Sequence, residues 1–408
     1  MNFFKELWAP QPGPRTQEEM QSQVLDFLRF PMTLWVLLVH VNPHLSPFFT
    51  PIGNIDFSNF TFANFYSIVA RLTNVGGHVV LCFFFFTSGY YFFYKTKTWN
   101  FSVYKDKIKK RWHTLVIPYL LWNTIWYVSN LARELFKYFK KGMPYDRWQE
   151  IATNYLNPES FLDTYWTATE WAIGRVNIFG WDSSLSGPAI LPLWFMRELI
   201  VMALLSPIIY WVVKKGKVWA LTFLGMCYVL NAWTIPGLNV TAVFTFTFGA
   251  YLALNGKDIL CTFAPLKWPA TIIALSNLFL NIFLTEEYEA YKQITMNLYC
   301  IGAAIAFITW TTVWFKSKHR PAIRPNLWKT GFFAYASHAL NFGILNIWFL
   351  ANAMALANFI TGAKYSVYGA FASMLIAPLL GMAICVAVYY LMKRYMPNAL
   401  KLLVGGRI

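Results

Sequence analysis

Two groups that could do chemistry share one hydrophobic stretch. In DFLRFPMTLWVLLVH, Arg29 and His40 stand eleven positions apart. On a helix that is close to three turns, a rise of roughly 16 Å, so both side chains point to nearly the same face. Arginine offers a planar fork of donors suited to phosphate or carboxylate. Histidine can take a proton from a hydroxyl near neutral pH. Ionisable groups inside a spanning helix are costly and mark function by default. The competing reading has Arg29 snorkelling to lipid headgroups and His40 capping the helix at the interface.

Further candidates are scattered along the chain. Ser88-Gly89 interrupts the aromatic wall FFFFTSGYYFF, where glycine admits a ligand or simply a neighbouring helix. Lys107, Lys109, Lys110, Arg111 and His113 form a basic run that could hold an anion. Arg197 and Glu198 lie about two turns inside another apolar stretch, where a structural ion pair competes with a catalytic role. His338, in FFAYASHALNFG, is a second intramembrane histidine, and His78 is expected near the outer end of the second helix. None of the five cysteines is spaced like a metal knuckle or a redox motif, so neither a metal site nor a disulfide is expected.

These residues need a scaffold, and the composition says which kind. Hydrophobic residues make up 57% of the 408, and charged residues only 13%, about half the share of a soluble domain. The expected architecture is an all-α polytopic membrane helix bundle. Ten helices are read at 24–42, 76–94, 113–131, 190–213, 217–234, 238–254, 267–284, 294–315, 331–350 and 366–392, because a span needs roughly 20 mostly apolar residues. Residues 1–20 read as a cytoplasmic tail without a signal peptide, and 21–408 as a single transmembrane domain.

The net charge of +16 would suggest nucleic acid in a soluble protein. In a membrane protein it suggests basic cytoplasmic loops. With the N-terminus inside, the Lys and Arg residues collect in 95–112, 214–217, 255–267, 316–330 and both tails, whereas 235–237 has no charge. This alternation predicts both termini in the cytoplasm. Two long outward segments, 43–75 and 132–189, are rich in aromatic and polar residues, which suits either an interfacial belt or function.

Five stretches, in order, resemble the integral-membrane acyltransferase-3 family: the Arg29–His40 spacing, FFFFTSGYYFF, KKRWHTLVIPYLLW, LWFMREL and KRYMPNALKLLVGGR. The resemblance covers about residues 20–407. It implies an enzyme that takes an acyl group, often acetyl, from cytoplasmic acyl-CoA and places it on a hydroxyl, usually of a cell-surface saccharide. It also implies that Arg29 and His40 are functional, with His40 the catalytic candidate. Ser88, Arg111, His113, Arg197 and His338 are then candidate substrate-binding residues. No bound cofactor is expected, since acyl-CoA is a substrate, and the expected location is the inner (plasma) membrane. The family often shows two basic residues three apart at the start of the third helix; here Arg111 is followed by Thr114. The alternative from another class is an exporter of an anionic metabolite, using the same Arg and His to bind substrate or proton.

Overall fold

Thr16 opens the first helix, its hydroxyl accepting the Glu19 N–H at 3.1 Å, while Glu18 and Glu19 meet the positive end of the helix dipole. Helix α1 runs Gln17–His40 and contains Pro31. A proline has no N–H for the carbonyl four residues back. That carbonyl, Phe27 O, instead accepts the Trp328 indole N–H at 3.1 Å. The computed structural model describes residues 7–41, 46–96, 98–171, 179–180, 185–340 and 366–408.

Helix α2 (Phe62–Gly77) and helix α3 (Val79–Phe93) follow, with His78 as the junction. This corrects one expectation. Residues 43–75 are not all loop, because Thr61 caps a helix there, its hydroxyl accepting the Asn64 N–H. His78 stands at the N-terminal end of α3, as expected for that helix, and a further helix, α2, continues before it to Phe62. Next come α4 (Phe101–Arg111), a π turn at Trp112–Val116, and α5 (Ile117–Lys140). The segment expected as a long outward loop holds the end of α5, the short helices α6 (Tyr145–Ile151) and α7 (Pro158–Asp163), and an antiparallel pair of strands, β1 (Thr169–Trp171) and β2 (Leu185–Gly187).

Helix α8 (Trp194–Leu204) bends into α9 (Ser206–Val229), the two segments lying 66° apart. Helix α9 turns sharply at Lys217, where φ is +48°. Then come α10 (Val240–Leu254), α11 (Ile259–Phe263), α12 (Lys267–Phe283), α13 (Glu289–Lys316), α14 (Pro325–Trp328), α15 (Gly331–Ser337), α16 (Val367–Tyr395) and α17 (Pro397–Leu403).

Among the described residues the fold is helical apart from the two short strands. Among the described residues, five segments are long and apolar enough to cross a membrane: Gln17–His40, Phe62–Phe93, Ile259–Phe283, Glu289–Lys316 and Val367–Tyr395; the bent pair of α8 and α9 makes a sixth if it counts as one span. The other expected spans differ for visible reasons. Helix α10 is short, α5 carries charges along its second half, and most of 331–350 lies outside the described residues.

Helices α3 and α10 form the spine. Their tightest contact is reciprocal: a Cβ on Gly89 would fall 2.0 Å from Phe246 O, and one on Gly249 would fall 2.0 Å from Phe86 O. Small residues let backbones meet this closely where lipid supplies no hydrophobic drive. Gly89 is therefore a packing residue. The spine feeds both large apolar clusters, with Phe83, Phe86 and Phe244 on one side and Phe85, Phe92 and Phe246 on the other.

Candidate active site

A cavity of about 550 Å³ opens between α1, α3, α8 and α15. Its mouth is polar, with Asp26, Arg29, Arg111, Lys329 and Arg407; its walls are apolar, with Phe84, Tyr91, Phe195, Met196, Phe246 and Tyr335. Ser88 faces it beside Tyr91. The expected residues Arg29, Ser88 and Arg111 thus share one space.

The charges at the mouth are unevenly matched. Arg29 pairs with Asp26 one turn earlier, and its guanidinium lies 5.5 Å over the Tyr91 ring. Arg111 lies 5.4 Å over the Phe92 ring, and no carboxylate pairs with it among the described residues. Lys107 joins it there, donating to Phe92 O at 2.5 Å. Burial, then the Arg111 and Lys110 charges, hold the Lys107 ammonium below its ordinary range. Burial does the same to Arg111. The residue that sequence reasoning missed is Arg407. Burial first, then the Arg111 and Arg29 charges, lower it to about 10. It remains a cation at neutral pH, crowded by others of its kind.

At the far end stand two histidines. His40 Nδ1 lies 2.7 Å from Val36 O, and His338 Nδ1 lies 2.8 Å from Tyr335 O and 3.1 Å from Ala334 O. A carbonyl only accepts, so each Nδ1 carries the hydrogen, and in the neutral ring the lone pair then sits on Nε2. The rings meet edge to face with centroids 4.9 Å apart. His338 Nε2 is buried with no hydrogen-bond partner among the described residues. Val36 and Tyr335, which anchor the two rings, both line the cavity. The space lined by Arg29 and Arg111 therefore reaches within one helical turn of two imidazoles, each anchored through Nδ1.

Two other expected residues sit elsewhere. His113 falls in the π turn and is exposed, away from the cavity lining. Arg197 is buried and committed to structure: it pairs with Glu198 at 2.9 Å and donates to Ser186 O at 3.0 Å and to Trp166 O. Glu198 in turn accepts the Gly237 N–H at 2.7 Å and the Asn239 N–H at 2.9 Å. The pair ties the segment before α8 to the start of α10, and its neighbours Phe195 and Met196 reach the cavity in its stead.

No curated protein and no solved structure matches the chain. A family profile does: the acyltransferase-3 family, described as an acyltransferase domain, matches residues 23–313. That span includes Arg29, His40, Ser88 and Arg111, most of the cavity, and nearly three quarters of the chain. The chain is a multi-pass membrane protein and an acyltransferase, belonging to the acyltransferase-3 family.

Proposed function

We propose that this protein moves an acyl group, acetyl in the simplest case, from cytoplasmic acyl-CoA to a hydroxyl of a cell-surface saccharide. The observation that carries this reading is the make-up of the cavity, with guanidinium groups in its lining and two carbonyl-anchored histidines one helical turn beyond its wall residues Val36 and Tyr335. Arg29 and Arg111 would hold the phosphates of the donor, a task suited to planar, charge-assisted donors. The apolar walls suit a pantetheine arm reaching along α1. Roughly 16 Å of helix rise separates Arg29 from His40, a separation that a linear arm can span.

His40 Nε2 would then take the proton of the acceptor hydroxyl as its oxygen attacks the thioester carbonyl. The C–S bond breaks, the ester forms, and the CoA thiolate takes up the proton that His40 held. This is general base catalysis with a neutral imidazole already in the basic tautomer. The proposed setting is a bundle of about ten helices in the inner (plasma) membrane, with both termini cytoplasmic. Basic loops inside would place the mouth toward the donor and His40 toward the outer half, where the acceptor arrives.

Mass spectrometry of envelope glycans from cells with and without the gene tests this reading. Glycan masses that drop by one acyl unit on deletion support it and identify both acyl group and acceptor. Unchanged glycans would overturn the saccharide acceptor and point to another hydroxyl-bearing acceptor.

A further inference from the structure

The turn after α17 has a built geometry that the cavity alone does not require. Gly405 and Gly406 have φ of +60° and +82°, conformations that glycine adopts freely and other residues resist. Gly405 also lies flat against Thr114: a Cβ there would fall 2.7 Å from Thr114 O and 2.8 Å from Thr114 Cα. The turn is held from two further helices. The Trp122 indole N–H on α5 donates to Leu403 O at 3.0 Å, and the Tyr389 hydroxyl on α16 donates to Arg407 O at 3.4 Å.

All of this fixes one side chain. Arg407 donates to Val404 O at 3.2 Å and stacks its guanidinium 4.3 Å over Phe332, which also lines the cavity. No carboxylate pairs with Arg407 among the described residues, nor with Arg111 beside it. Two guanidinium groups brought together without a counter-charge repel each other unless an anion joins them. Position 114, three residues after Arg111, is a threonine whose backbone receives the glycine turn.

We propose that the Gly405–Arg407 turn is a strap that sets Arg407 beside Arg111 as the second arm of a clamp for the diphosphate group of the donor. The proposal rests on the acyl-CoA reading above. It adds a residue from the far end of the sequence, outside the matched family span, to the donor site. The strap carries its cation on a turn, so it also makes donor binding depend on the packing of α17. A lipid phosphate at the inner surface has the same chemistry, so the test must separate the two.

The full chain is reconstituted in nanodiscs of phosphatidylcholine, and the dissociation constants of CoA and of phosphate-free pantetheine are measured. The wild type should bind CoA much more tightly than pantetheine. Arg407→Gln should weaken CoA by about ten- to a hundredfold and leave pantetheine unchanged. Arg407→Lys should fall between, because an ammonium keeps the charge without the fork. Gly405→Ala, with its new methyl against Thr114, should mimic Arg407→Gln. Undiminished CoA affinity in Arg407→Gln overturns the clamp, and an equal loss for CoA and pantetheine reduces Arg407 to a structural role. Repeating the titration with phosphatidylglycerol identifies a lipid source. The clamp holds headgroups instead if anionic lipid weakens CoA binding only when Arg407 is present, while Arg407→Gln binds CoA as well as the wild type does in phosphatidylcholine. A wild type that binds CoA no better than pantetheine sinks the donor reading itself, which the other outcomes leave standing.

Discussion

His40 and His338 come from helices almost three hundred residues apart in sequence, yet their rings meet with centroids 4.9 Å apart. Each hangs from a carbonyl on its own helix through Nδ1, which leaves Nε2 as the nitrogen turned away from that anchor. Two imidazoles anchored alike, one helical turn beyond the cavity wall, form the pair to which the proposed proton transfer is assigned.

The donor end should respond separately from the acceptor end. Arg111→Ala is expected to raise the KM for acyl-CoA and to leave that for the acceptor in place. Folding should be little affected, because Arg111 makes no ion pair among the described residues and its loss removes a repulsion with Arg407. Steady-state kinetics against each substrate decide it, and equal changes in both KM values would move the donor site elsewhere.

Arg197 should behave in the opposite way. Its buried pairing with Glu198 leaves an uncompensated charge if either partner is removed, which costs about 3–5 kcal/mol. Arg197→Ala should therefore lower yield and the midpoint of thermal unfolding in detergent. Whatever fraction folds should keep its KM values; normal stability with a selective rise in one KM would bring Arg197 back to the site.

The glycine pair on the spine makes a prediction about packing. A methyl group at Gly89 or Gly249 meets backbone at 2.0 Å, and relieving such overpacking costs about 1–3 kcal/mol. Gly89→Ala and Gly249→Ala should each lower the unfolding midpoint. Because both force the same two helices apart, the double variant should lose less than the two losses combined. Full additivity would mean that the two contacts are independent.

Orientation can be read with reporters. A fusion after Ile408 should report cytoplasm, and an insertion near Asn157 should report the outer side. Reversed signals would put the arginine mouth on the wrong side for a cytoplasmic donor.

Much of the scaffold is legible because burial in lipid leaves long apolar runs, whereas the helices that Thr61 and Asn100 cap fall in segments read as loops, because they are short or polar. The Arg29–His40 spacing is legible for the same local reason, since one helix sets it. What escaped the sequence is what packing alone decides. The choice of the Arg197–Glu198 pair as structure depends on Gly237 and Asn239 N–H groups that arrive from α10. The approach of His338 to His40 depends on how α15 lies against α1. Arg407 gave only a faint signal, a lone arginine after two glycines in KLLVGGR, a pattern that marks a turn but not its destination. His113 looked like part of the basic run, but the π turn rotates it outward.

The account stands or falls on His40 as general base. The direct measurement is the release of free CoA from acetyl-CoA by purified protein given envelope saccharide as acceptor, for wild type and for the His40→Ala, His338→Ala and His78→Ala variants at matched folded concentration. A general base contributes about 10²–10⁴ in rate, so His40→Ala should lose most turnover at an unchanged KM for acetyl-CoA. His78→Ala should stay near wild type, and His338→Ala should lose less than His40→Ala. Near-normal CoA release by His40→Ala, with the large loss in His338→Ala, would contradict the assignment and make His40 the neighbour that positions the true base.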